Sequence, residues 1–121
     1  MKSIVNLETR TTDFALRVIK LYSSLPKTTE AQVLGKQLLR SGTSIGAHYR
    51  EAKRPKSSLD FINKIEGALQ ELDQTGYWLE LIERSEIMSA KRLELIRAES
   101  VELIKILVVV VKNTKEKMKK N

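Results

Sequence analysis

Apolar residues recur along this chain every three to four positions, the period of helices that each bury one face. Leu7, Phe14, Leu16, Val18, Ile19, Leu21, Tyr22 and Leu25 make the first stripe and predict a helix over 4–24. Pro26 ends it, because proline cannot extend the hydrogen-bond ladder. A second stripe, Leu34, Leu38, Leu39, Ile45 and Tyr49, predicts a helix over 29–53 that closes before Pro55. Thr29 and Gln32 stand at capping-box spacing at its start. Phe61, Ile62, Ile65, Ala68, Leu69, Leu72, Trp78, Leu79 and Ile82 predict a third helix over 58–84, with Ser57 and Asp60 as its cap. A fourth, over 89–116, carries Leu93, Ile96, Leu103, Ile104, Leu107, Val108 and Val111. Its run ILVVVV (106–111) has strand-like composition but continues the upstream helical frame. Being apolar all round, that run calls for cover on more than one side and points to a subunit interface. The basic tail 112–121 is expected to fray. Four long helices with short links predict an all-α fold, one domain over 1–121, built as an antiparallel up-down-up-down four-helix bundle.

The second segment contains LLRSGTSIGAHYREAKR (38–54), where glycines interrupt a helical pattern. Each of Gly35, Gly42 and Gly46 costs a helix about 1 kcal/mol relative to alanine. Close approach of another helix would offset that, with Ser41, Gly42, Gly46 and Ala47 as a small-residue strip; the rival expectation is a kink at Gly42.

Charge adds a functional direction. The net charge is +7 and unevenly placed: residues 1–56 hold eleven Lys/Arg against four Asp/Glu, residues 57–111 six against ten, and residues 112–121 five against one. Arg40, Arg50, Lys53, Arg54 and Lys56 gather from the second helix into the turn at Pro55 and are the candidate nucleic-acid-binding residues. Such cations contact phosphates, giving salt-dependent affinity without sequence readout. Lys112, Lys115, Lys117, Lys119 and Lys120 add a basic arm. Solubility alone, or complementation of the second helix's negative C-terminus by Lys53 and Arg54, would also account for these charges. Tyr49 is the one aromatic nearby, so base stacking finds little support.

Candidate catalysis is sparse. There is no cysteine, which excludes disulfides and thiolate chemistry. His48 is the single histidine and has no nucleophile at a recognisable spacing. Glu66, Glu71 and Asp73 lack the Glu-x-x-His pairing of di-metal bundles, and Gly35-Lys36 lacks the remainder of a phosphate loop. The expectation is a non-enzyme without cofactor or metal. No stretch approaches the ~18 apolar residues of a membrane span, and the N-terminus has no signal-peptide pattern, so a cytoplasmic protein is expected.

The stretch LGKQLLRSGTSIGAHYREAKRPKSSLDFINKIEGALQELDQTGYWLELIE resembles the bacterial family of the 23S rRNA intervening-sequence protein. The likeness rests first on Leu39, Arg40, Ser41, Ser44, Ile45, Glu51 and Ala52. It continues with Ser57, Ser58, Asp60, Phe61, Ala68, Glu71, Tyr77, Trp78 and Leu79. It covers roughly residues 14–111; His48 and the form GAHYREA depart from the family's commoner NIAEG. The resemblance implies a four-helix bundle, assembly as a homopentameric ring and no enzymatic activity. It implies kinship with genes inside 23S rRNA intervening sequences, or with the accessory variability determinant of diversity-generating retroelements. The latter is a basic pentamer that binds nucleic acid and a reverse transcriptase. The expected function is therefore an oligomeric RNA- or DNA-binding scaffold, with a protein–protein interaction module as the alternative.

Overall fold

In the computed structural model, residues 6–120 are described; the predicted helix start at Ile4 and the chain end at Asn121 lie outside them. Those residues form four helices: α1 (Leu7–Ser23), α2 (Thr29–Ala52), α3 (Ser58–Arg84) and α4 (Ala90–Lys120). No strand occurs among the described residues. All four helices start on a side chain that accepts from a free backbone N–H: Asn6 from Thr9, Thr28 from Ala31, Ser57 from Asp60, and Ser89 from Arg92. The α2 cap is thus Thr28, one residue before the predicted Thr29. Gln32 does not complete a capping box; its amide donates to the Pro26 carbonyl at 2.8 Å and accepts from the Tyr22 hydroxyl at 3.1 Å. It ties down the first turn instead.

The α3–α4 link is closed by backbone geometry. Glu86 has φ 65°, the left-handed conformation that a Schellman motif demands just past a helix. Its N–H bonds the Glu83 carbonyl at 3.0 Å and that of Ile87 bonds Ile82 at 3.1 Å.

One core is shared by all four helices, with Phe14, Val18, Leu38, Ile45, Ile65, Leu72, Leu79, Leu93, Leu103 and Leu107 fully buried. Paired residues on neighbouring helices run in opposite sequence order. Glu8 meets Arg50 and Lys53 whereas Tyr22 meets Gly35; Ser41 meets Thr75 whereas Glu51 meets Lys64; Glu83 meets Arg97 whereas Glu66 meets Lys115. Helix α4 lies chiefly on α3; against α1 it makes a two-pronged ion pair, Arg10 to Glu99 at 2.7 and 3.0 Å.

Helix α2 runs unbroken through its glycines, so close packing, not a kink, accounts for them. A methyl at Gly35 would stand 2.6 Å from Leu25 Cδ1, one at Gly42 2.8 Å from Val18 Cγ2, and one at Gly46 3.2 Å from Thr11 Oγ1. All three make room for α1 or the turn after it. Ala47, expected in the same strip, is exposed, and Ser41 faces α3, where its hydroxyl bonds that of Thr75 at 2.8 Å in the core.

Two further expectations change. Leu16 and Ile19 are 58% and 44% exposed, because the α1 core face is Leu7, Thr11, Phe14 and Val18. Thr11 joins that face by donating its hydroxyl to the Leu7 carbonyl at 2.8 Å. The basic tail is not frayed: α4 continues to Lys120, with Lys115 paired to Glu66 at 3.5 Å. Among the described residues, no helix is long and apolar enough to cross a membrane.

Candidate functional site

The end of α2 brings Arg50 and Lys53 onto one helix face three residues apart, and the Pro55 turn then carries Arg54 and Lys56 past the helix end. With the first turns of α1 and α3 they enclose an open cleft of ≈ 680 Å³. Four of the five predicted cations therefore share one site.

Carboxylates from three segments enter it. Glu8, from the first turn of α1, bridges two cations: its Oε1 accepts from Lys53 Nζ at 2.7 Å and its Oε2 lies 3.3 Å from Arg50 Nη1. Glu51 pairs with Lys64 at 3.3 Å. Asp60 accepts from the Lys56 backbone N–H at 3.0 Å, bracing the turn. Arg50 is anchored a second time, donating from Nη2 to Thr12 Oγ1 at 3.1 Å. The side chains of Arg54 and Lys56 have no ion-pair partner among the described residues. The hydrogen bond from Lys53, then the charges of Lys53 and Arg50, hold the Glu8 carboxyl below the usual carboxylate range; Glu8 in turn raises Lys53.

Arg40, the fifth predicted cation, is elsewhere. Ten residues before Arg50, it sits about 15 Å away along the helix. It spans α2 and α3 by pairing with Glu71 at 3.3 Å and hydrogen-bonding Gln74. His48 approaches the same Glu71 at 3.7 Å, its ring lying against Gly67, where an added methyl would come within 2.9 Å of Nδ1. These two residues join helices and leave the cleft untouched.

The C-terminal part of α4 lies near the start of α3, where Met118 and Lys119 line a second cleft of ≈ 400 Å³ with Leu59 and Ile62. The basic turn and the basic end of α4 thus both adjoin the first turns of α3. About five turns earlier on the same face of α4, Val101 and Ile104 border a groove beside Gly76, where an added methyl would meet nothing within 4 Å. Val101, Val108 and Val109 are about half exposed, at 51%, 49% and 53%. The sequence reading missed Glu8, 45 residues from Lys53 in the chain. An acidic residue in a first helical turn ordinarily signals only the helix dipole.

The family model described as 23S rRNA-intervening sequence protein matches residues 6–109. Among solved structures, the chain is similar to a protein of unknown function from the S23 ribosomal protein family of Bacteroides thetaiotaomicron. The two are 43% identical with a TM-score of 0.82, over 87% of this chain and 97% of that one. No curated protein matches the chain.

Proposed function

The chain belongs to the 23S rRNA-intervening sequence protein family, and from that membership we propose that it is a non-enzymatic, oligomeric scaffold that binds nucleic acid through its cationic cleft. The observation that carries the reading is the convergence of Arg50, Lys53, Arg54 and Lys56 on one exposed cleft, with Arg54 and Lys56 in no ion pair among the described residues. Cations in this arrangement engage phosphates along a backbone and read no bases.

The protomer in this reading is an antiparallel up-down-up-down bundle, in keeping with the reversed order of its interhelical pairs. The half-exposed valines of α4 suit burial between copies, and a homopentameric ring would repeat the cleft five times. Individually weak contacts repeated on a rigid ring gain avidity without new chemistry. Such a cytoplasmic ring could hold a structured RNA for a partner enzyme, a reverse transcriptase in the retroelement version of this role.

Light scattering coupled to size-exclusion chromatography, with and without a structured RNA, tests the proposal. The expected result is a ring that keeps its mass in high salt and takes up RNA only in low salt. Affinity should fall steeply between about 50 and 200 mM salt. A ring indifferent to RNA that retains a protein partner from nuclease-treated lysate would replace this reading with a protein-interaction module.

A further inference from the structure

We propose that the Glu8 carboxylate is a built-in occupant of the phosphate site, so that a polyanion binds this cleft by displacing Glu8 from Arg50 and Lys53. The inference rests on the nucleic-acid reading above and adds to it a residue that sets its strength.

The geometry is that of a ligand in place. Glu8 uses both oxygens, one on Lys53 at 2.7 Å and one within 3.3 Å of Arg50. Two oxygens of a phosphate group would be received by the same two cations in the same way. Arg50 stays aimed at the cleft whichever acceptor is present, because its other terminal nitrogen donates to Thr12 at 3.1 Å. The Lys53 backbone is held at the C-cap of α2, where its N–H bonds the Tyr49 and Arg50 carbonyls.

The occupant is also easy to displace. Glu8 is on the surface, 38% exposed, and stands in the first turn of α1, where turning its side chain outward disturbs no core contact. Exposed ion pairs of this kind contribute little to folding. Its carboxyl is held in the charged form by Lys53 and Arg50, so it remains a competing anion at neutral pH. The two cations that need no displacement, Arg54 and Lys56, stand beside it as the point of first contact. A single phosphate gains little by exchanging places with a tethered carboxylate. A polyanion that already engages Arg54 and Lys56 gains two further cations, which makes the cleft selective for extended polyanions over isolated phosphates.

The test is fluorescence anisotropy of a labelled RNA hairpin across a salt series, with the full chain. Glu8→Gln keeps the side chain's size and removes its charge. Glu94→Gln, on exposed α4 surface away from the cleft, makes the same change in net charge. Glu8→Gln is expected to bind about three- to fivefold tighter than wild type, the equivalent of one released surface ion pair, with a steeper salt dependence. Glu94→Gln is expected to match wild type. Equal affinity of Glu8→Gln and wild type, or equal gains in the two variants, overturns the proposal. An Arg54→Ala/Lys56→Ala variant separates the two levels. If it binds less RNA while Glu8→Gln changes nothing, the cleft binds nucleic acid and only the displacement is wrong. If it binds like wild type, or if neither wild type nor Glu8→Gln binds, the nucleic-acid reading falls and this inference with it.

Discussion

At Gly42 the chain omits a methyl group that α1 has no room to accept. The added Cβ would sit 2.8, 3.0 and 3.2 Å from three atoms of Val18, a β-branched side chain with little rotameric freedom. Overpacking of this kind costs about 1–3 kcal/mol, more than the ~1 kcal/mol that alanine gains in helix propensity. Gly42→Ala should therefore lower stability by about 1 kcal/mol in urea unfolding. Gly76→Ala, into open space, should raise it by up to about 1 kcal/mol. A stabilised Gly42→Ala would refute the packing account. Glu86 offers the reverse case, a side chain where glycine belongs. Its φ of 65° strains any residue with a Cβ, so Glu86→Gly should raise the melting temperature, by an amount equivalent to about 1 kcal/mol. Glu8 gives a pH signature. Its carboxyl titrates lower in the folded chain than in the unfolded one, so its contribution is present above the ordinary carboxylate range. That contribution is lost as pH falls through the depressed folded value. The stability difference between wild type and Glu8→Gln should be constant near neutrality and vanish in acid; a difference persisting in acid would assign it to something other than the ion pair.

Helix pairing rests on features of unequal legibility. The buried hydroxyl pair Ser41–Thr75 joins α2 to α3 at 2.8 Å inside the core. Ser41→Ala should cost about 1–3 kcal/mol by stranding Thr75, while Ser41→Ala/Thr75→Val should recover part of that loss. Additive losses in the double-mutant cycle would mean that the two hydroxyls do not depend on each other. Nothing in the sequence announces this pair, because the two residues are 34 positions apart and each is unremarkable in its own helix. The helices themselves were legible: Pro26 and Pro55 mark the breaks, and the apolar period is regular enough to place each element within a few residues. What the period could not give was the width of the buried face. Leu16 and Ile19 fell into a stripe drawn too broadly, and Thr11 was left out of one it shares. The cleft was half legible for the same reason. Four cations lie within seven consecutive residues and can be read directly, whereas Glu8 and Lys64 reach them only through the fold. The helical end of α4 was hidden because its support, Glu66 and Leu59, belongs to another helix.

For the whole molecule, the question is whether the cleft works alone or as one of several. Of the apolar positions that α4 leaves half exposed, Val101 borders the groove at Gly76 and Val108 stands about two turns further along the same flank, which is where the proposed contact between copies is tested. Val101→Lys/Val108→Lys places two charges on that flank without touching the buried Leu103 and Leu107. Desolvating unpaired ammonium groups is costly, so copies should separate while each protomer keeps its helices. Light scattering should then give the protomer mass, and circular dichroism an unchanged helical signal. Both added lysines also raise the positive charge of each copy, which by itself would favour RNA. A loss of RNA affinity in this variant, on the order of 10²-fold or more, would therefore have to come from lost multivalency. A variant that keeps the assembled mass would place the interface on another face. One that separates yet binds RNA at least as well as wild type would show that a single cleft is the functional unit.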